Sequence, residues 1–190
     1  MADSHGPFAQ KGLEALALKD GDEFLDIGCG SGYTLSWVKE NVPTARVTGI
    51  DISPEMISLA KKNLEGLENV TLKTMDWPPQ KNTGQLHDAI FSMEVFYYFS
   101  DLNQAISAVF AHLRPGGRFA CLVDYYQEHK ESHAWKKNMN LSMHLLSKEE
   151  WAYEFKRVGF KEIISKQITL PHKPDFVGTL MTLGAKGDKR

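Results

Sequence analysis

The sequence predicts an α/β fold, doubly wound around a mostly parallel sheet. Short apolar runs alternate with amphipathic, helix-length segments from about residue 22 onward, the pattern of repeated strand–helix units. The first run ends in the turn Asp26-Ile27-Gly28-Cys29-Gly30-Ser31-Gly32, and the second ends in a carboxylate at Asp51. Strand, glycine turn, helix, strand and acid, in that order, hold a nucleotide-like ligand over bare backbone at a helix N-terminus.

Residues 1 to 22 read as a mobile N-terminus followed by a short helix, Lys11 to Leu18, before Gly21-Asp22 turns into a strand at Glu23–Ile27. Further strands are expected at Val47–Asp51, Val70–Thr74, Ala89–Met93 and Arg118–Asp124. The helices between them fall at Thr34–Glu40, Pro54–Glu65 and Leu102–Leu113. Ser53-Pro54 supplies an N-cap and a first-turn proline, and Asp101 with Gln104 suggests a capping box. Leu113-Arg114-Pro115-Gly116-Gly117 cannot continue a helix. Tyr125 to Leu146 shows no clean period and is rich in His, Tyr, Trp, Met and Asn. Ser147-Lys148-Glu149-Glu150 then starts a helix to about Val158, and two closing strands follow at Phe160–Thr169 and Phe176–Gly184. No repeat or low-complexity tract interrupts the chain, so residues 1–190 are expected to form one domain.

Composition narrows the class. Of 190 residues 42% are hydrophobic and 24% charged, as in soluble globular proteins. A formal charge of −2 with no long basic run lacks the electrostatic footprint of a nucleic-acid binder. Cys29 and Cys121 stand in neither a C-x-x-C nor a Cys/His spacing, which speaks against zinc and against a disulfide framework. No apolar run approaches the ~18 residues of a membrane span and no signal-peptide pattern opens the chain, so a cytoplasmic location is expected.

The glycine spacing separates two kinds of nucleotide site. A dinucleotide fingerprint, G-x-G-x-x-G, needs its third glycine at position 33, where this chain has Tyr33 and places Gly32 one residue earlier. The pattern D-x-G-x-G-x-G resembles the first motif of the class I S-adenosylmethionine-dependent methyltransferases. Asp51 lies about 20 positions beyond Gly28, where an acid accepts hydrogen bonds from ribose hydroxyls. Without that offset, a strand-end Asp is a turn or cap residue. The resemblance runs from about Asp22 to Gly184. It implies a Rossmann-like, seven-stranded, mostly parallel sheet closed by a C-terminal antiparallel hairpin.

The same resemblance implies S-adenosyl-L-methionine as cofactor, with binding residues Asp26, Gly28, Cys29, Gly30, Gly32, Asp51, Ile52, Met56, Asp76, Trp77, Ser92 and Met93. Asp76 falls where the family places an acid near the adenine amino group, and Trp77 is a candidate to cover the adenine face; a rigid surface loop with one packed Trp is the alternative. Asp26 is placed to hold the cofactor's ammonium group or to cap the glycine loop's own amides. Exposed amides near Ser31 and Gly32, at the positive end of the next helix, suit its carboxylate. Phe96, Tyr97 and Tyr98 are candidates to cage the sulfonium, although clustered aromatics are more often core.

Methyl transfer from a sulfonium is an in-line displacement of a good leaving group, so positioning and a base for the nucleophile are what a protein adds. Candidates near the methyl group are Glu94, Tyr98, Asp124, Tyr125, Tyr126, His129 and His133. His129 and His133 are spaced to share a helix face with Glu128, yet no third ligand stands at a sensible spacing, and no metal is expected; His144 is equally ambiguous. No D/N-P-P-Y/F and no Pro-Cys follows the fourth strand, which argues against methylation of the adenine exocyclic amine and of cytosine C5 in nucleic acid, and the paired acids of catechol-type enzymes are not evident at Ser92–Glu94. The resemblance that remains is to the ubiquinone/menaquinone-biosynthesis-like small-molecule subgroup, with a small-molecule methyl acceptor and residues 124–146 as lid and specificity insert or as a homodimer contact. Three alternatives stay open: a non-catalytic cofactor-binding partner subunit, a methyltransferase acting on RNA or protein, and a nicotinamide-dependent oxidoreductase, the last disfavoured by Tyr33 and the terminal strand pair.

Overall fold

The computed structural model describes residues 2–79, 84–135, 142–173 and 176–188. In chain order the elements are α1 (Ala2–Leu16), β1 (Glu23–Ile27), α2 (Tyr33–Asn41), β2 (Arg46–Asp51), α3 (Pro54–Asn63), β3 (Val70–Thr74), β4 (His87–Met93), α4 (Leu102–His112), β5 (Leu113–Val123), α5 (Lys148–Val158), β6 (Lys161–Ile168) and β7 (Thr179–Ala185). Short 3-10 turns occupy Phe96–Tyr98 and Lys130–Ala134. Among the described residues no helix is long and apolar enough to cross a membrane.

Seven strands form one sheet in the order β3-β2-β1-β4-β5-β7-β6. Neighbours from β3 to β5 are parallel, whereas β7 runs antiparallel to both β5 and β6. The mostly parallel sheet with a closing hairpin is therefore the one the sequence implied. Both faces are covered, so the central strands are largely apolar and consecutive residues feed opposite cores. Phe24, Phe91 and Leu122 pack on one side with α1, α2 and α3, while Leu25, Ile90 and Cys121 pack on the other with α4 and α5. The chain winds outward from β1 to β3, then returns to start again at β4. The reversal between β1 and β4 opens a crevice at the strands' C-terminal ends.

The N-terminus differs from the sequence expectation. It is one continuous helix from Ala2 to Leu16, closed by Ala17 at φ 52, in place of a loose tail and a helix at Lys11–Leu18. Phe8, Ala9, Leu13 and Leu16 are all buried, and Gly12 meets the sheet with bare backbone, since a Cβ there would press on Leu122 and Phe91. Burial of that face offsets the backbone hydrogen bond that Pro7 cannot donate.

Other differences are at element ends. The β5 ladder starts at Leu113, opposite His87, loops out over Arg114 to Gly117 and resumes its register at Arg118 opposite Ala89. The last strand begins at Thr179, because Gly178 turns at φ 102 against the Ile168 carbonyl. Asp101 caps α4 by accepting from the Gln104 amide at 2.8 Å. Of the expected 124–146 insert, residues 136–141 lie outside the described residues.

The capping box on α5 is complete: Ser147 Oγ accepts from the Glu150 amide at 3.2 Å and Glu150 Oε2 accepts from the Ser147 amide at 2.7 Å. This helix carries Phe155, whose ring stacks on Phe119 with centroids 5.1 Å apart, so the cap anchors one wall of the core. Ser147→Ala is expected to lower stability by about 1 kcal/mol. Urea unfolding checks this as a lower midpoint at an unchanged slope.

Candidate active site

A cavity of about 860 Å³ opens at the switch point between β1 and β4. Its first end is the glycine loop. The Gly28 and Cys29 amides donate to the Ile50 carbonyl at 2.8 and 2.9 Å, which pins the loop to the tip of β2. Three left-handed glycines then serve three different purposes. A Cβ at Gly28 would strike Val95, and one at Gly32 would press on Leu64 and Ala60 of the α3 region. At Gly30 nothing lies within 4 Å of that position, so the crest of the loop stays open on the cavity side.

Asp51 ties this loop to β2. Its Oδ2 accepts from the Gly30 amide at 2.9 Å and its Oδ1 from the Ser53 amide at 2.9 Å. Ser53 in turn caps α3 by accepting from the Met56 amide at 3.1 Å, and Met56 and Leu59 line the cavity below. Beneath the loop, buried Asp26 accepts a hydrogen bond from the Thr34 hydroxyl. Burial pushes its carboxyl up to about 7; the Thr34 bond opposes that and the nearby Asp51 charge adds to it. The Cys29 thiol is also pushed up, chiefly by burial, which removes it as a nucleophile.

The second end is built from the termini of β4 and β5. Glu94 stands immediately after β4 at φ 62, a conformation a non-glycine residue adopts at a cost of order 1–3 kcal/mol. That turn swings its side chain back to the sheet, where Oε1 accepts from the Asp124 amide at 2.5 Å and Oε2 from the Tyr97 hydroxyl at 2.9 Å. Burial, and then the Asp124 carboxyl, push Glu94 up to about 8. His5, reaching in from α1, places Nε2 3.3 Å from Asp124 Oδ2. This bond raises the imidazole against an opposing effect of burial, with Glu94 adding to the rise. His5, Glu94 and Asp124 thus bring one ligand-type atom each within 4.8 Å of one another. The acid pair that is not evident within Ser92–Glu94 is assembled across two strands.

Of the residues predicted from sequence, Asp26, Gly28, Cys29, Gly30, Asp51, Met56 and Met93 line this cavity, as do Glu94, Tyr97 and Tyr98. The others lie elsewhere. Gly32 faces a neighbouring hollow of about 360 Å³ between α1 and α2. Ile52 is 70% exposed and off the cavity wall. Asp76 accepts from the Trp77 amide, and the Trp77 indole is buried against α4, donating to the Ala105 carbonyl at 3.1 Å. Ser92 ties β4 to β1 by donating to the Ile27 carbonyl at 2.7 Å. Phe96 is buried in the α4 core.

Tyr125 is a backing residue, its ring set between Tyr97 and Trp135. Tyr126 donates to the Gly178 carbonyl at 2.7 Å. His129 Nδ1 lies 2.6 Å from the Asp124 carbonyl and His133 Nε2 lies 3.1 Å from the Gln127 carbonyl, so a 3-10 turn, not a shared helix face, separates the two imidazoles. His144 Nε2 sits 2.7 Å from the Phe99 carbonyl. Ser31, whose amide region the sequence offered for the cofactor's carboxylate, lines the cavity too, whereas sequence reasoning missed His5, Tyr33, Thr34, Leu59, Phe91, Val95 and Trp135 as lining residues. The apolar spacing of Phe8, Ala9, Leu13 and Leu16 was the signal that could have placed the first helix, and His5 with it.

A seven-stranded sheet of this order, with a glycine loop and a strand-tip acid on one crevice wall, defines a class I methyltransferase architecture. The chain belongs to that family: a family model described as a methyltransferase domain matches residues 18–159. Among curated proteins, the trans-aconitate 2-methyltransferase of Azoarcus sp. (strain BH72) is 32% identical over 119 residues, covering 63% of this chain and 46% of that protein. The malonyl-[acyl-carrier protein] O-methyltransferase of Acetivibrio thermocellus is 32% identical over 98 residues, covering 52% and 34%. The chain therefore spans less than half the length of these curated relatives. Among solved structures, a putative methyltransferase of Haloferax volcanii in complex with the Trm112 methyltransferase activator is 28% identical, with a TM-score of 0.86 over 98% of this chain and 92% of that one.

The cofactor of this family, and of this chain, is S-adenosylmethionine. The residues present fit it. An open glycine crest beside a strand-tip carboxylate leaves room for a ribose, and among the described residues no cation acts on buried Asp26 to stabilise its ionised form. With the folded value at about 7, above the ordinary carboxylate range, ionising Asp26 costs stability, so its contribution declines as pH rises from about 4 to about 7. Asp26→Asn is expected to flatten that part of the stability–pH curve and to make the cofactor-free protein more stable at neutral pH. Thermal unfolding of both forms between pH 4 and pH 8 checks this; a parallel pair of curves would contradict it.

Proposed function

We propose that this protein transfers a methyl group from S-adenosylmethionine to a small-molecule acceptor held between Glu94 and Trp135. The single observation that carries the reading is the two-ended cavity, glycine loop and Asp51 at one end, Glu94, Tyr97, Tyr98 and Trp135 at the other. Its volume of about 860 Å³ suits two small ligands together, against the ~300–1,000 Å³ of typical sites. When bound, the cofactor supplies a methyl group on a positively charged sulfur that leaves as a neutral thioether. This chain's residues do the rest. Asp51 takes the ribose hydroxyls, Asp26 the ammonium group, and the Ser31 region of the loop the carboxylate at the head of α2. Aromatic walls exclude water from the acceptor, and Glu94 and His5 stand ready to take its proton.

The relatives' names indicate carboxylic acid acceptors for those proteins. That preference is not carried over, because the described cavity lining contains no lysine or arginine to meet a carboxylate. Nor do the relatives named above support the quinone-biosynthesis-like subgroup in particular. Association with an activator protein is a second reading, supported by the extent of the match to the Haloferax protein and by the open edge strand β3. Mixing the chain with Haloferax volcanii Trm112 and measuring mass in solution tests it: a one-to-one complex supports the reading and two separate species reject it.

Asp51→Asn keeps the shape and removes the charge. It is expected to weaken S-adenosylhomocysteine binding roughly 10- to 100-fold, about 1–3 kcal/mol for hydrogen bonds to a charged group. Calorimetry on the folded variant measures it, and unchanged affinity would remove the ribose assignment.

A further inference from the structure

We propose that the methyl acceptor is a small amine, entering as an ammonium ion that docks on Glu94 between the Tyr97, Tyr98 and Trp135 rings and giving its proton to the His5–Glu94–Asp124 cluster. This inference rests on the function proposed above and names the chemical class that site takes. It stands first on composition. At the acceptor end the two carboxyl groups of Glu94 and Asp124 stand beside one imidazole, and no lysine or arginine lines the described cavity, so acidic groups outnumber basic ones there. It stands second on an orphaned atom. Asp124 is 5% exposed, yet its Oδ1 has no hydrogen-bond partner among the described residues, although Oδ2 faces His5. A buried carboxyl oxygen left unpaired costs free energy; Asp124 stands behind the lining, so a cation held on Glu94 offsets that cost through space and not by direct contact. It stands third on the walls. Tyr98 is 40% exposed beside Tyr97, with ring centroids 4.4 Å apart, and such faces attract an ammonium group at about 0.5–2 kcal/mol per contact.

The proton balance closes on the same groups. Each Glu94 oxygen accepts one hydrogen bond from the protein and keeps a lone pair for the ligand. Its carboxyl, pushed up to about 8, lies nearer the ~10.4 of an alkylammonium than an ordinary carboxyl at ~4.3 does, so taking the proton is less steeply uphill than for a free glutamate. Glu94, mostly protonated in the empty site near neutrality, gives its proton to solvent as the ammonium docks. The acceptor nitrogen then passes its own proton to the freed carboxylate, its pair bonds the methyl carbon, and the pair of the broken carbon–sulfur bond stays on sulfur. The product leaves as a methylated ammonium, and Glu94 is left protonated as it began. His5, held by Asp124, keeps the second carboxyl oriented and partly neutralised.

The test uses the full chain, methyl-labelled S-adenosylmethionine and a small-metabolite extract. Before it, calorimetry with S-adenosylhomocysteine establishes cofactor binding; failure there overturns the proposed function, not the acceptor class. With binding intact, the amine assignment expects label that survives mild base and is retained on a cation exchanger at low pH. Label released as methanol by base marks a methyl ester, label that is base-stable but uncharged marks a hydroxyl acceptor, and no transfer at all denies a small amine; each overturns the proposal. Glu94→Gln is expected to cut transfer at least 10-fold while weakening S-adenosylmethionine and S-adenosylhomocysteine binding equally. A loss confined to the sulfonium form would assign the charge to the cofactor instead. Micromolar binding of Mn²⁺ or Zn²⁺ that disappears in His5→Ala would fill the cation position with metal and overturn the amine reading as well.

Discussion

The structure of this site depends on one carboxylate bridge. Asp51 accepts from Gly30 on one oxygen and from Ser53 on the other, so a single side chain fixes the crest of the glycine loop relative to the first turn of α3. Two charge-assisted bonds of this kind hold more firmly than neutral ones, and each leaves a lone pair free. The bridge therefore shapes the ligand bed and still offers acceptors to a ligand. Loop, helix and acid cannot move apart independently. The ability of a parallel sheet to present strand tips side by side becomes a cradle because this residue, with the Gly28 and Cys29 amides on the Ile50 carbonyl, stitches two of those tips together.

Glu94 plays the corresponding part at the far end, by a different route. A left-handed non-glycine residue after a central strand is costly, and the surrounding structure holds it there with the Asp124 amide and the Tyr97 hydroxyl. The cost is accepted at the point where β4 and β5 converge on the cavity. A glycine would make the same turn without strain but would bring no carboxyl. The combination of backbone strain, burial and a raised carboxyl beside a second acid costs stability, which is the ground for the role proposed for Glu94 above.

Much of this was legible in the sequence, for physical reasons. The sheet could be read because buried parallel strands are short apolar runs with sharp ends, and the Asp26-to-Gly32 turn because only glycine accepts three left-handed positions so closely spaced. What failed was what depends on distance through space. Trp77 looked like a platform beside a ligand, but its indole proton found the Ala105 carbonyl in α4, a partner that no local pattern announces. His129 and His133 carried the right spacing on a helix that did not form. His5 was passed over because residues before Lys11 read as a mobile N-terminus, although the face buried on the sheet extends the helix to Ala2. Glu94 and Asp124 are thirty residues apart in sequence, and only the pairing of β4 with β5 makes them neighbours.

The electrostatics of the cavity join these observations. Asp26 and Glu94 are both pushed up by burial, and each has a second carboxyl group, Asp51 or Asp124, raising it further. A protein selected for stability alone would replace such groups with apolar ones or pair them with cations, as unpaired buried charge is among the most costly features a fold can carry. On the function and acceptor class proposed above, the opposing charge is left for ligands to bring: the ammonium group of the cofactor over Asp26, and a cation at the Glu94 end. Each binding event then relieves a strain built into the free protein, which makes the two ends favour occupied states without any movement of the sheet. The cofactor-free fold is least comfortable above neutrality, where its buried acids ionise, and in that range the ligands contribute most to holding it together.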